Sequence, residues 1–105
     1  MSGEKKKLGI LLFSGPQSQD VGTAAGLASA ALTRGMEVEI FMMYEAALNT
    51  VSERLKELCT RGAKITICSH NADELKAHRE EGFTYGSQLD HSYIVNEAHR
   101  YVAFG

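Results

Sequence analysis

The chain has 105 residues, 44% of them hydrophobic and 23% charged, with a formal net charge of −2. That length fits one domain around a modest core, and the faintly acidic balance argues against a nucleic-acid surface, which shows as a basic excess. No apolar run is long enough to span a bilayer. "LGILLF" (8–13) is too short for a secretory apolar segment and runs into "SGP", so the expected compartment is the cytoplasm, where Cys59 and Cys68 read as free thiols.

The chain opens on "KKK" (5–7), read as a solubilising N-terminal run. "KLGILLF" (7–13) is a continuous apolar run, as expected of a strand covered on both faces. "SGPQSQ" (14–19) is a loop, and a helix follows from Asp20 to Arg34 with Gly35 as its stop. The small side chains from Ala24 to Ala31 let that helix lie close to a sheet. "MEVEIFMM" (36–43) is a second strand, half exposed where Glu37 and Glu39 alternate with apolar neighbours. Thr50 and Glu53 have capping-box spacing, and Val51, Leu55, Leu58 and Cys59 then share one helical face up to Gly62.

"AKITIC" (63–68) is the third strand, with Ala63, Ile65 and Ile67 on one face and Lys64, Thr66 and Cys68 on the other, more polar one. Asn71 and Glu74 suggest a helix start, with a polar surface helix running to Glu81. A last helix starts near Ser87, and "YVAFG" (101–105) closes the chain as a strand; "FTYG" adds a fifth strand if it pairs. Strands separated by helices predict an α/β fold. It has three layers, α/β/α, around a mostly parallel four- to five-stranded sheet of the Rossmann or flavodoxin-like kind, in a single domain over 1–105.

In such a sheet, ligands bind beyond the carboxyl ends of the strands. That rule selects "SGPQSQD", "MYEAALN", "CSHN" and the chain end at Gly105. Ser14, Gly15, Tyr44 and Asn71 are then expected to line a cleft. Cys68 is the one strongly nucleophilic side chain among these segments. A helix start just after it, with His70 beside it, would favour a thiolate. Free cysteine is also among the most buried residue types, so an inert core thiol is the competing account. Cys59, on the stripe of Leu55 and Leu58, reads as a core thiol, and a Cys59–Cys68 redox pair has no CxxC spacing behind it. The "SGPQSQDVG" loop is neither a P-loop nor G-x-G-x-x-G, and reads as a strand-to-helix turn capped by Ser18 or Asp20. Cys68, His70, His78 and His91 have no zinc spacing, and no cofactor motif is present.

Beyond these local readings, nearly the whole chain resembles the DsrE/DsrF-like proteins, which include the TusD-type sulfur-relay subunits. "GILLFSGPQSQD" is similar to the family's first strand and loop, and "AALTRGMEVEIFMMYEAALN" to its alanine-rich helix, second strand and aromatic loop. "KITICSHNADELKAHREEG" resembles its third strand ending in a cysteine, then a short helix and a glycine. "GFTYGSQLDHSYIVNEAHRYVAFG" resembles its closing helix and strand. The resemblance implies a cytoplasmic sulfur carrier that accepts sulfane sulfur as a persulfide on Cys68 and passes it to a partner protein. It also implies trimers or hexamers, with no metal, organic cofactor, nucleic acid or membrane involved directly. The chain lacks the longer insertion after the second strand seen in TusD-like members, which favours a homo-oligomer. A non-catalytic ligand-binding subunit and a thiol redox sensor are the alternative readings on the same fold.

Overall fold

A computed structural model describes residues 5–105. Strand β1 (Lys7–Leu12) leads into helix α1 (Asp20–Thr33), strand β2 (Glu37–Met42), a 3-10 segment (Tyr44–Val51) and helix α2 (Glu53–Thr60). Strand β3 (Lys64–Cys68), helix α3 (Ser69–Glu74), strand β4 (Thr84–Gly86), helix α4 (Gln88–Glu97) and strand β5 (Arg100–Phe104) complete the chain. The five strands form one sheet in the order β4-β3-β2-β1-β5, with every neighbouring pair parallel. "FTYG" does pair, and Gly86 of β4 lies opposite Cys68 of β3.

Handedness explains the layers. The connections from β1 through β4 all step the same way along the sheet, and right-handed crossovers put their helices on one face. The connection from β4 to β5 returns across three strands and places α4 on the opposite face. Two cores result. The larger one joins Ala24, Ala25, Ala28 and Ala31 of α1 and Leu55 and Leu58 of α2 to Ile10, Leu12, Ile40 and Ile65 of the sheet. The smaller one, under α4, joins Leu11, Phe41, Cys68 and Ile94, with Phe13 and Met43 packed beside them. α4 lies so close to β1 that a Cβ on Gly9 would stand 2.9 Å from Ile94 Cγ2 and 3.1 Å from Ala98 Cβ.

Several local expectations are corrected. Thr50 caps no helix: it is buried, and its hydroxyl donates to the His78 carbonyl at 3.0 Å. The cap of α2 is Ser52, whose Oγ accepts from the Leu55 N–H, while Val51 stands exposed before it. α3 starts at Ser69, not Asn71, and ends at Glu74, well short of Glu81. Its end is a Schellman closure: the Ala77 N–H donates to the Ala72 carbonyl at 2.8 Å and the Lys76 N–H to the Asp73 carbonyl at 3.2 Å. Lys76 therefore takes the left-handed position, φ 55°, that Gly35 and Gly62 hold after α1 and α2. Lys7 is not a loose solubilising cation, since its ammonium is held at 3.0 Å by both Glu39 and Glu97. At the end of β2, Phe41 and Met42 are buried and Tyr44 just beyond them is exposed. Among the described residues no helix is long and apolar enough to cross a membrane.

Candidate functional site

β3 delivers Cys68 to the carboxyl edge of the sheet, and the chain turns directly into α3, so Cys68 occupies the cap position of that helix with extended backbone (φ −60°, ψ 114°). Strand alternation sends Ile67 into the larger core and Cys68 to the face beneath α4. That face is apolar where Cys68 sits, against the expectation of a polar one. Leu11, Phe41 and Ile94 surround the thiol and leave it 7% exposed.

The exposed part of Cys68 lies on the floor of a groove of about 600 Å³. Met43 and Tyr44 form one wall, Ser69, His70 and Asn71 of α3 a second, and Gly86, Ser87 and Gln88 a third. Two helices begin on this groove. α3 carries no acidic residue in its first turn. α4 opens with a capping box in which Ser87 Oγ accepts from the Leu89 N–H and Asp90 accepts from the Ser87 N–H at 2.8 Å. Gly86 is required here, because a Cβ would collide with the Asp90 carboxylate and stand 3.1 Å from Thr66 Cγ2.

Of the residues expected at the site, Cys68, His70, Tyr44 and Asn71 line this one groove. Ser14 and Gly15 do not. They line a neighbouring groove of about 940 Å³ at the ends of β1 and β5, together with Phe13, Ser18, Glu45 and Gly105. The loop there is pinned from within: Ser14 Oγ donates to Asp20 Oδ2 at 2.7 Å, and the buried Asn49 amide donates to the Ser14 carbonyl at 2.9 Å. Neither Ser18 nor Asp20 caps α1: the cap position is Gln19, without a side-chain cap bond, and Ser18 Oγ accepts from the Asp20 N–H at 3.0 Å in the turn before it.

His70 is largely exposed, and its Nε2 stands 3.7 Å from Glu74 Oε2 one turn along α3. Asn71 is buried, and it is no helix cap: its Oδ1 accepts from the Tyr44 N–H at 2.8 Å. Tyr44 has φ 54°, a left-handed conformation that costs a residue with a Cβ roughly 1–2 kcal/mol. Its ring stacks on Phe13 with centroids 5.6 Å apart.

Met43 belongs to the "MYEAALN" segment after β2, but Ser87 and Gln88 were not among the expected site residues. Their presence follows from β4 pairing with β3, which brings the start of α4 to Cys68; Gln88 Nε2 then lies 3.7 Å from the Met43 sulfur. His91 lies away from the groove, stacked on Phe41 at 5.4 Å and hydrogen-bonded through Nε2 to the Tyr101 hydroxyl at 2.8 Å. His78 is exposed beside Glu80, and His99 Nδ1 accepts from the Lys7 backbone N–H. Among the described residues no three His, Cys, Asp or Glu side chains gather into a metal-binding set.

Cys59 is half-buried on α2, packed against the larger core, and burial pushes its thiol pKa above the ordinary value. The sheet separates it from Cys68, which belongs to the core on the other face.

The arrangement of sheet and helices is found in solved structures. The YchN protein from E. coli superposes with a TM-score of 0.82 at 14% identity, over 94% of this chain and 99% of that one. The chain shares the YchN fold. A conserved protein of unknown function from Bacteroides thetaiotaomicron, BT1422, matches with a TM-score of 0.76 at 16% identity, covering 94% of this chain and 95% of its own. No family model matches the sequence, and no curated protein matches it either. At these identities the likeness speaks for the fold alone.

Proposed function

We propose that the protein is a DsrE/DsrF-like sulfur carrier that accepts sulfane sulfur on Cys68 and hands it to an acceptor protein. The observation carrying this reading is the placement of Cys68: a thiol at a strand end, on the floor of an open groove where two helices begin. The sequence resemblance and the YchN fold point the same way.

The chemistry asks only for a thiolate and access. The Cys68 thiolate attacks the outer sulfur of a donor persulfide, R–S–SH. The donor's S–S bond breaks, the donor leaves as its thiolate R–S⁻, and Cys68 becomes the persulfide. An acceptor thiolate then attacks that outer sulfur, and Cys68 leaves as a thiolate. Each sulfur lost by one partner is gained by the other, so no external oxidant or reductant enters. His70 is close enough to line the groove, and a proton on its ring would add positive charge there.

The expected result is a gain of one sulfur per chain after incubation with a sulfane donor. It is seen by intact mass, maps to Cys68, persists in Cys59→Ser and is absent in Cys68→Ser. Wild type that stays unmodified under conditions that load another carrier would overturn the reading. The low exposure of Cys68 favours one competing account in that event, a non-catalytic subunit that binds a small ligand in the larger, cysteine-free groove.

The protein is further proposed to act in the cytoplasm as a homo-oligomer, a trimer or hexamer. Leu89, Tyr93 and Val95 of α4 and Tyr101 of β5 are exposed apolar side chains on neighbouring elements, the kind of surface that subunit contacts cover. A monomeric mass in native mass spectrometry would remove this part of the proposal.

A further inference from the structure

Among the described residues Tyr44 alone lines both grooves at the carboxyl edge of the sheet. It stands where the chain leaves β2, between the groove over Cys68 and the larger groove at the ends of β1 and β5. Three observations show that its position is imposed. Its backbone is left-handed (φ 54°) although the residue is not glycine. Its N–H is taken by the side-chain oxygen of buried Asn71 at 2.8 Å, an interaction between residues 27 apart in sequence. Its ring is stacked on Phe13 while remaining 56% exposed. A non-glycine residue in this conformation persists only where its surroundings over-determine it, and such positions cluster at functional sites.

We propose that Tyr44 is the specificity-determining residue of the Cys68 groove. Its ring partitions what would otherwise be one wide cleft, so that Cys68 is met only by narrow reactants entering between α3 and the start of α4. Asn71 is the positioning residue that holds the partition, and because it lies in the first turn of α3, three residues after Cys68, thiol and partition are fixed to the same short helix. The inference rests on Cys68 being the reacting thiol. It adds the class of donor that thiol can use: a sulfane sulfur on an unbranched, narrow carrier.

The test is the rate of Cys68 alkylation in a Cys59→Ser background, with iodoacetamide as the narrow reagent and a fluorescein maleimide as the bulky one. Tyr44→Gly removes the ring and accepts the left-handed backbone without strain. It should raise the bulky-to-narrow rate ratio roughly fivefold or more, a barrier difference of about 1 kcal/mol. Asn71→Ala should raise the ratio in the same direction, and Tyr44→Phe, which keeps the ring, should leave it unchanged. An unchanged ratio in Tyr44→Gly, or equal acceleration of both reagents, would overturn the partition; the second pattern reports general loosening. Alkylation reads access whether or not sulfur is carried. A size-gated Cys68 that never takes sulfur therefore sinks the carrier reading alone, and a Cys68 that loads sulfur without size gating sinks the partition alone.

Discussion

Cys59 and Cys68 sit on opposite faces of the sheet. Cys59 packs against the core under α1 and α2, and Cys68 faces the core under α4. A disulfide needs Cα atoms within about 7 Å and Cβ vectors that converge. Two side chains directed to opposite sides of a continuous sheet cannot meet that demand without unfolding β3. A redox sensor in which Cys59 resolves an oxidised Cys68 is therefore not built into this fold. Mild peroxide on the native protein should give adducts on single thiols and no intramolecular crosslink in non-reducing peptide maps. Detection of a Cys59–Cys68 bridge at native circular dichroism would contradict the assignment of the two faces.

Stability should fall on the alkaline side, and three groups give the direction. Burial raises the Cys59 thiol pKa, so the unfolded chain ionises there first and stability declines once pH passes the unfolded thiol value of about 8.5. Burial raises the Tyr101 phenol in the same sense, with loss beginning above about pH 10. Lys7 is raised by its hydrogen bond to Glu97, with Glu39 adding to it against desolvation; its contribution is present below the unfolded lysine value and is lost as pH rises through the folded one. The urea midpoint should drop from about pH 7.5 to about pH 11.5, roughly one unit outside these onsets. Cys59→Ala should flatten the first part of that decline. A midpoint that holds or rises across the window would show the sign to be wrong.

What the sequence conveyed depended on how local the cause was. β1 and α1 were legible because a continuous apolar run and a stripe of alanines each have one structural use beside a parallel sheet. Gly35 and Gly62 announced the ends of α1 and α2 because the left-handed residue of a Schellman closure is usually glycine. Lys76 fills the same position after α3 and carries no such signature, so the helix read on toward Glu81. Cys68 was placed correctly at the strand end, but the polarity of its face was not, because Lys64 and Thr66 suggested solvent where Phe41 and Ile94 supply an apolar lid. Ser87 and Gln88 could not be brought to Cys68 at all. That juxtaposition is a consequence of strand order, which is set by pairing between distant segments and leaves no local pattern.

The Lys76 closure yields a prediction of its own. Lys76 is exposed, and the conformation costs a residue with a Cβ roughly 1 kcal/mol. Lys76→Gly removes that cost, while glycine's greater freedom in the unfolded chain offsets part of the gain. The net stabilisation should be about 0.5 kcal/mol, read as a higher urea midpoint at unchanged slope. Lys76→Val, with a branched Cβ in the left-handed region, should lower the midpoint instead. If glycine destabilises, the closure does not hold Lys76 in this conformation in solution.

The contact between Gly9 and Ile94 decides how α4 is seated. Ile94 is the buried side chain of α4, and it rests where β1 has no Cβ, with Ile94 Cγ2 2.9 Å and Tyr101 Cδ1 3.3 Å from where one would stand. Gly9→Ala should therefore push α4 off the sheet and cost on the order of 1–3 kcal/mol, the range for overpacked sites. Ile94→Ala should cost roughly 2–5 kcal/mol by leaving a cavity against Leu11 and Phe41. The two effects share one space, so they should not add. Gly9→Ala combined with Ile94→Ala, which removes Cγ2 from the contact, should lose less than the sum of the single changes. The coupling in a double-mutant cycle from urea unfolding should be favourable by about 0.5 kcal/mol or more. Because Cys68 packs in the same small core, Gly9→Ala should also speed Cys68 alkylation by iodoacetamide. Strict additivity with unchanged thiol reactivity would mean that α4 is not seated on β1 through this contact.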